Sequence, residues 1–181
     1  MIRWLLWIFG GVLLGGIVHL TTVLALPRTA TQDAYSRLAP ITPVNAVVPL
    51  PVPKPGAEII PFMDPAFAAA VCRYDLGNGS LKLSVPVSQA YTSVSFYTRT
   101  GVAYYAINDR AAGRRVIELD LMTSRQRAEL PEDEEVTAAD RLIVESPTTT
   151  GLIVIRALSP EPGMMAMAEA SLKGAQCQPQ S

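Results

Sequence analysis

From Trp4 to Leu26 the chain carries no charged residue, and beyond that block its apolar positions break into short runs that repeat every second residue. A helix over those 23 positions is about 34 Å long, enough to cross a hydrocarbon core of about 30 Å, and the pattern predicts one spanning helix. Thr31 to Leu38 follows as a short helix, with an acid early and Arg37 late, and Pro40 stops it. Prolines at 40, 43, 49, 51, 53, 55 and 61 then forbid a helix and leave an extended tether, with one edge strand near Asn45 to Leu50.

The remainder reads as strands. Asp64-Pro65 predicts a brief helical turn, and the Ala-rich run leads into a strand at Val71 to Tyr74. Gly77-Asn78-Gly79 predicts a hairpin to the alternating Leu81 to Val85, and Arg99-Thr100-Gly101 predicts a second one between Tyr91–Thr98 and Val102–Ile107. Asn108 to Gly113 reads as a turn, Arg115 to Leu121 as a strand, and Thr123 as the cap of a helix over Ser124 to Leu130. Leu142 to Glu145 and Leu152 to Ala157 are strands across a Pro147 to Gly151 turn, and Ser159 is placed to cap a last helix, Pro160 to Lys173.

Six or seven short strands at this spacing predict a mainly β (α+β) chain. Its expected form is one N-terminal transmembrane helix followed by an antiparallel β-sandwich or partial barrel with short peripheral helices. The expected organisation is an anchor over 1–27, a juxtamembrane helix and Pro-rich tether over 28–61, and an extracytoplasmic β-rich domain over 62–181.

The first block competes with a cleaved signal peptide, for which Val23-Leu24-Ala25 would serve as the small-x-small site. Its apolar run exceeds the usual 7–15 residues, which favours an uncleaved signal anchor. Arg3 lies before the span on a tail too short to fold, so the positive-inside rule places the N-terminus in the cytoplasm and the body outside. Of fifteen basic and sixteen acidic residues only Arg3 precedes the span; the body is therefore slightly acidic and has no basic stripe for nucleic acid.

Candidate chemistry is sparse. The one histidine, His19, lies inside the span, so the body has none for a Ser-His or Cys-His pair or a His-ligated metal; no catalytic residue, metal or cofactor is expected. Trp7, Gly11, Gly15 and His19 share one helical face, and Gly11-x-x-x-Gly15 is the small-residue spacing of close membrane helix pairs. Cys72 and Cys177 both fall on the expected oxidising side and predict a structural disulfide.

Asn108-Asp109-Arg110 with Tyr97 offers a polar ligand pocket, against the commoner reading of a self-bonded turn. The aromatics at 91, 96, 97, 104 and 105 could stack sugar rings, or form core and cross-strand pairs. Glu118 and Asp120 would share one strand face, the arrangement of a carboxylate pair or of any exposed strand; Glu132 to Glu135 suits the acidic start of a helix better than a calcium loop.

Several segments can be compared with a known family: Asp33-Ala34-Tyr35-Ser36-Arg37-Leu38, Asp64-Pro65 with Cys72-Arg73-Tyr74-Asp75, Ser93 to Tyr97, Tyr105 to Arg110 and Gly151 to Arg156. In these the chain resembles a family of small uncharacterised bacterial membrane-anchored proteins, a domain of unknown function also found as the first half of larger two-domain secreted proteins. The resemblance implies a bacterial inner-membrane protein with a periplasmic domain, and carries no reaction. The expected partners are the lipid bilayer and a second envelope protein, a separately encoded sister domain among the candidates. The expected role is interaction or assembly, more in keeping with a non-enzyme, with a small-ligand-binding domain or a carboxylate- or tyrosine-dependent envelope enzyme as alternatives.

Overall fold

The computed structural model describes residues 2–29, 33–54, 56, 59–61, 63–113, 115–130 and 142–180. They form two compact units, Met1–Asp33 and Ala34–Ser181. The first is a single helix, α1 (Ile2–Thr29), whose stretch Ile2–Leu26 is long and apolar enough to cross a membrane. Its large side chains, Trp4, Trp7 and Phe9 among them, are exposed. Its hydroxyls find acceptors within the helix: Thr21 Oγ1 donates to the Ile17 carbonyl and Thr22 Oγ1 to that of Val18, each at 2.8 Å. Such back-bonding is how a hydroxyl is satisfied where no water reaches it.

The second unit is a two-sheet α+β sandwich with nine strands among the described residues. Strands β1 (Val47–Leu50), β2 (Phe67–Asp75), β8 (Thr150–Leu158), β4 (Thr92–Thr98) and β5 (Ala103–Asn108) form one sheet in that spatial order. In the other, β7 (Leu142–Ser146), β6 (Val116–Thr123), β3 (Leu81–Pro86) and β9 (Gln176–Pro179) are neighbours in turn. Period-two alternation sends Leu81, Leu83 and Val85 of β3, with Ile117, Leu119 and Leu121 of β6, into the space between the sheets. From the other sheet Tyr74, Phe96, Ile153 and Ile155 meet them. The helices are peripheral: α2 (Ala34–Leu38), α3 (Asp109–Ala112), α4 (Ser124–Ala128) and α5 (Met165–Leu172).

Local signals are realised where the partner is a chain neighbour. The β4–β5 hairpin forms as expected, turning at Gly101 with a φ of 82° that suits glycine. Thr123 caps α4 in a reciprocal box: its Oγ1 accepts from the Gln126 amide, and its own amide donates to Gln126 Oε1 at 2.9 Å. Gln126 Nε2 also donates to the Leu76 carbonyl at 2.9 Å, which ties α4 to the loop before β3.

Other expectations are corrected. The hairpin across Gly77 to Gly79 does not exist, because β2 pairs with β1 and β8 while β3 pairs with β6 and β9 in the opposite sheet. The reason is burial: Ala68 to Cys72 are buried on both faces, so β2 takes a central place in its sheet, and the loop carries the chain across the core. Pro147 to Gly151 likewise joins different sheets. The arrangement is not wholly antiparallel either: β6 and β7 run parallel, which demands a long crossover of the kind that begins with α4.

The Ala-rich run after Asp64-Pro65 is β2 itself, and Asp64 Oδ1 accepts from the Ala66 amide at 2.9 Å in a local turn. The Asn108 to Gly113 turn is one turn of helix, α3. Ser159 does not cap the last helix; its Oγ donates to the Glu161 carbonyl, and a 3-10 turn, Pro162–Met164, precedes α5. The expected Glu132 to Glu135 helix start lies outside the described residues.

Candidate functional site

The polar pocket expected from Tyr97, Asn108, Asp109 and Arg110 is not assembled. Asn108 Oδ1 accepts from the Ala111 amide at 2.9 Å and caps α3, whose C-terminal glycine, Gly113, has a φ of 61°. Tyr97 lies opposite Ala103 and Asn108 opposite Ser93, so the two stand five residues apart along β5, about 17 Å. Asp109 Oδ1 is buried and meets no donor among the described residues, and Arg110 is exposed.

The aromatic run divides between the faces of its sheet. Phe96 is buried between the sheets, with ring centroids 6.1 Å from Tyr104 and 5.8 Å from Tyr105. Tyr74, Tyr104 and Ser146 form a hydroxyl chain: the Tyr74 hydroxyl is 3.1 Å from that of Tyr104 and 3.0 Å from Ser146 Oγ, which donates to the Thr148 carbonyl. Burial pushes the Tyr104 phenol well above its ordinary range, against a smaller opposing effect of Ser146, so it stays protonated as a structural group.

Glu118 is exposed, and Asp120 is buried on the same side of β6, where Gln180 Nε2 donates to its Oδ1 at 2.7 Å. Ser80 Oγ donates to Gln180 Oε1, so Asp120 is tied to the closure of the C-terminal segment. No cluster of metal-ligating groups occurs among the described residues.

The feature with the properties of a site lies elsewhere, on the face of the five-stranded sheet turned away from the core. Two guanidinium groups, those of Arg73 and Arg99, lie over the ring of Tyr35 on α2, 5.4 and 5.5 Å from its centroid. Arg73 Nη2 also donates to the Thr42 carbonyl at 3.0 Å, and Thr42 Oγ1 donates to that of Leu38. These contacts hold α2 against the sheet, with Leu38 buried among Leu50, Ala69, Val71 and Leu152.

Ile60 and Met63 flank the same face without filling it. Between them and α2 a groove of about 370 Å³ remains, floored by Ala69, Val71, Leu152 and Val154, with Tyr97 in its wall and Asp64 and Arg156 among its lining residues. That volume is at the small end of the range for ligand pockets, about 300–1,000 Å³. Of the four expected pocket residues, Tyr97 alone lines it. The floor residues carried a readable signal: Ala68 to Cys72 and Leu152 to Ile155 are apolar without alternation, the mark of a strand covered on both faces.

Cys72 on β2 and Cys177 on β9 come from opposite sheets and are brought to disulfide distance, their Cα atoms 6.5 Å apart. On α1 a Cβ added at Gly11 or Gly15 would meet nothing within 4 Å, so that face, with His19 a turn further on, is open.

Residues 44–179 match the family model described as "Protein of unknown function (DUF1254)". Among solved structures the chain is similar to the VPA0106 protein from Vibrio parahaemolyticus, with a TM-score of 0.59 and 13% identity over 82% of this chain and 34% of that one. It is also similar to an uncharacterised protein from Burkholderia cenocepacia, with a TM-score of 0.49 and 14% identity over 80% of this chain and 36% of that one. The chain thus spans about a third of the length of these solved chains. No curated protein sequence matches it. The likeness to the Vibrio protein is one of fold.

Proposed function

We infer, from the premise that this chain belongs to the DUF1254 family of proteins of unknown function, that it is a membrane-tethered binding module of the cell envelope. In this reading α1 crosses the bacterial inner membrane with its N-terminus in the cytoplasm, and the sandwich faces the periplasm. The apolar length of Ile2–Leu26 and the position of Arg3 ahead of its uncharged part, Trp4 to Leu26, support that placement. The Cys72–Cys177 pair suits an oxidising compartment.

The observation that carries the binding role is the apolar groove outside the core. Val71 and Leu152 are already buried beneath it, but Ile60, Met63, Tyr97 and Val154 stay part-exposed around one cavity, the apolar lining that a module taking an apolar ligand needs. Val154→Arg places a charge on the floor while leaving Ile153 and Ile155 in the core. The full chain in lipid nanoparticles is expected to show a saturable emission component with anilinonaphthalene sulfonate, absent from the variant. Identical titrations for the two proteins would remove the groove as a binding site.

A second reading, association with a second envelope protein, is favoured by the Gly11-x-x-x-Gly15 spacing of α1 with His19 on the same helical face. A separately encoded sister domain is one such partner. Gly11→Ile with Gly15→Ile keeps the hydrophobic length, so the chain should still insert while its association in native membranes falls severalfold by chemical cross-linking. Unchanged cross-linking would dismiss the helix contact.

A further inference from the structure

We propose that the groove receives one acyl chain of a phospholipid, with the headgroup phosphate on Arg156 and a headgroup ammonium on Asp64; this rests on the membrane-tethered reading above. The floor of Ala69, Val71, Leu152 and Val154 has no side-chain donor or acceptor, so a sugar or nucleotide would lose its water contacts there without replacement. An extended peptide gains affinity from free main-chain groups at a sheet edge. Here the floor belongs to β2 and β8, central strands whose backbones pair on both sides.

What fits an apolar floor with a charged border is an amphiphile, and this border carries both signs. Arg156 is exposed on β8 directly across from Ala69 of the floor. Asp64 engages one carboxylate oxygen with the Ala66 amide, and its carboxylate adds the negative charge. A lone anion would be drawn to Arg156 and repelled by Asp64, whereas a zwitterionic phosphoethanolamine headgroup offers each its opposite.

The test uses tryptophan quenching, because the chain's two tryptophans, Trp4 and Trp7, both lie in α1 and the body has none. The full chain carrying Trp4→Phe, Trp7→Phe and Tyr97→Trp is reconstituted in vesicles whose phosphatidylethanolamine has brominated acyl chains. Groove emission is expected to fall at least twofold relative to unbrominated vesicles, and adding Val154→Arg should abolish the loss. Bromine carried only by phosphatidylglycerol should quench less, and Arg156→Glu should weaken quenching by the ethanolamine lipid.

The chain with native Trp4, Trp7 and Tyr97 is read in parallel. Quenching of α1 without quenching of the groove overturns the lipid proposal and leaves the anchor standing, whereas no quenching of α1 overturns the anchor itself. A groove tryptophan shielded from both bromine and acrylamide would assign the groove to a protein segment or second copy and overturn the proposal. Equal quenching by the two lipids would overturn the headgroup assignment. If Tyr97→Trp fails to fold, Phe67→Trp, also on the groove lining, takes its place.

Discussion

Cys72→Ala combined with Cys177→Ala is expected to lower the unfolding free energy by several kcal/mol. The two cysteines are 105 positions apart, and a covalent loop of about 100 residues removes up to about 4.7 kcal/mol of chain entropy from the unfolded state, engineered cases often delivering less. Both side chains are buried, at 0% and 3% exposure, so the substitution also leaves a small cavity between the sheets. The loss should concentrate at β9, an edge strand with β3 as its sheet neighbour and a largely exposed sequence, Gln176–Pro179.

Urea unfolding of the full chain with and without reductant measures the effect, and hydrogen exchange at β9 locates it. The same residues report on the compartment. Protein trapped in cells with a fast alkylating reagent should show neither thiol modified. Full alkylation at both positions, together with an unchanged midpoint, would overturn both the linkage and the periplasmic placement.

Gly151→Ala is expected to cost about 2–6 kcal/mol, although Gly151 needs no unusual φ. It sits at the start of β8 with Tyr74 across from it on β2 and Thr98 on β4. An added Cβ would collide with the Tyr97 carbonyl and with the hydroxyl and ring of Tyr74. Tyr74 has no room to move. It is fully buried, and its hydroxyl is held by Ser146 and Tyr104.

Overpacking of this kind costs about 1–3 kcal/mol, and a buried hydroxyl pulled from its partners adds about 1–3 kcal/mol. Chemical denaturation of Gly151→Ala measures the sum, and a cycle with Tyr74→Ala should show strong coupling because removing the ring removes most of the collision. A variant within 0.5 kcal/mol of the parent would mean that the sheet yields at this point.

The hydroxyl chain also shows why the aromatic positions admitted two readings, of which the core pair is the one that forms. Tyr104 and Tyr105 stood as aromatic candidates on a strand, yet what separates a sugar platform from a buried pair is the element stacked above it. For Tyr104 that element includes Ser146, forty-two residues away, and for Phe96 it is the second sheet. In the same way Asn108 and Tyr97 are near in sequence and at opposite ends of a hairpin, because an extended strand separates its ends faster than any other element.

By itself the sequence determined several elements whose cause is local. The uncharged Trp4 to Leu26 block specifies a long apolar helix through composition alone. Gly101 turns β4 into β5, and Thr123 with Gln126 starts α4, since each signal and its partner lie within a few residues. The sandwich class followed from the number of short alternating strands.

Tertiary structure decided which strands are neighbours, and so where the site is. The loop at Gly77 to Gly79 suits a hairpin as well as a crossing, and the choice fell to the two-sided burial of Ala68 to Cys72. The groove draws Leu38, Met63, Val71 and Val154 from four separate stretches. No one of those stretches can encode the cavity, because a void is the space left when α2, held through Tyr35 by Arg73 and Arg99, covers only part of an apolar sheet face.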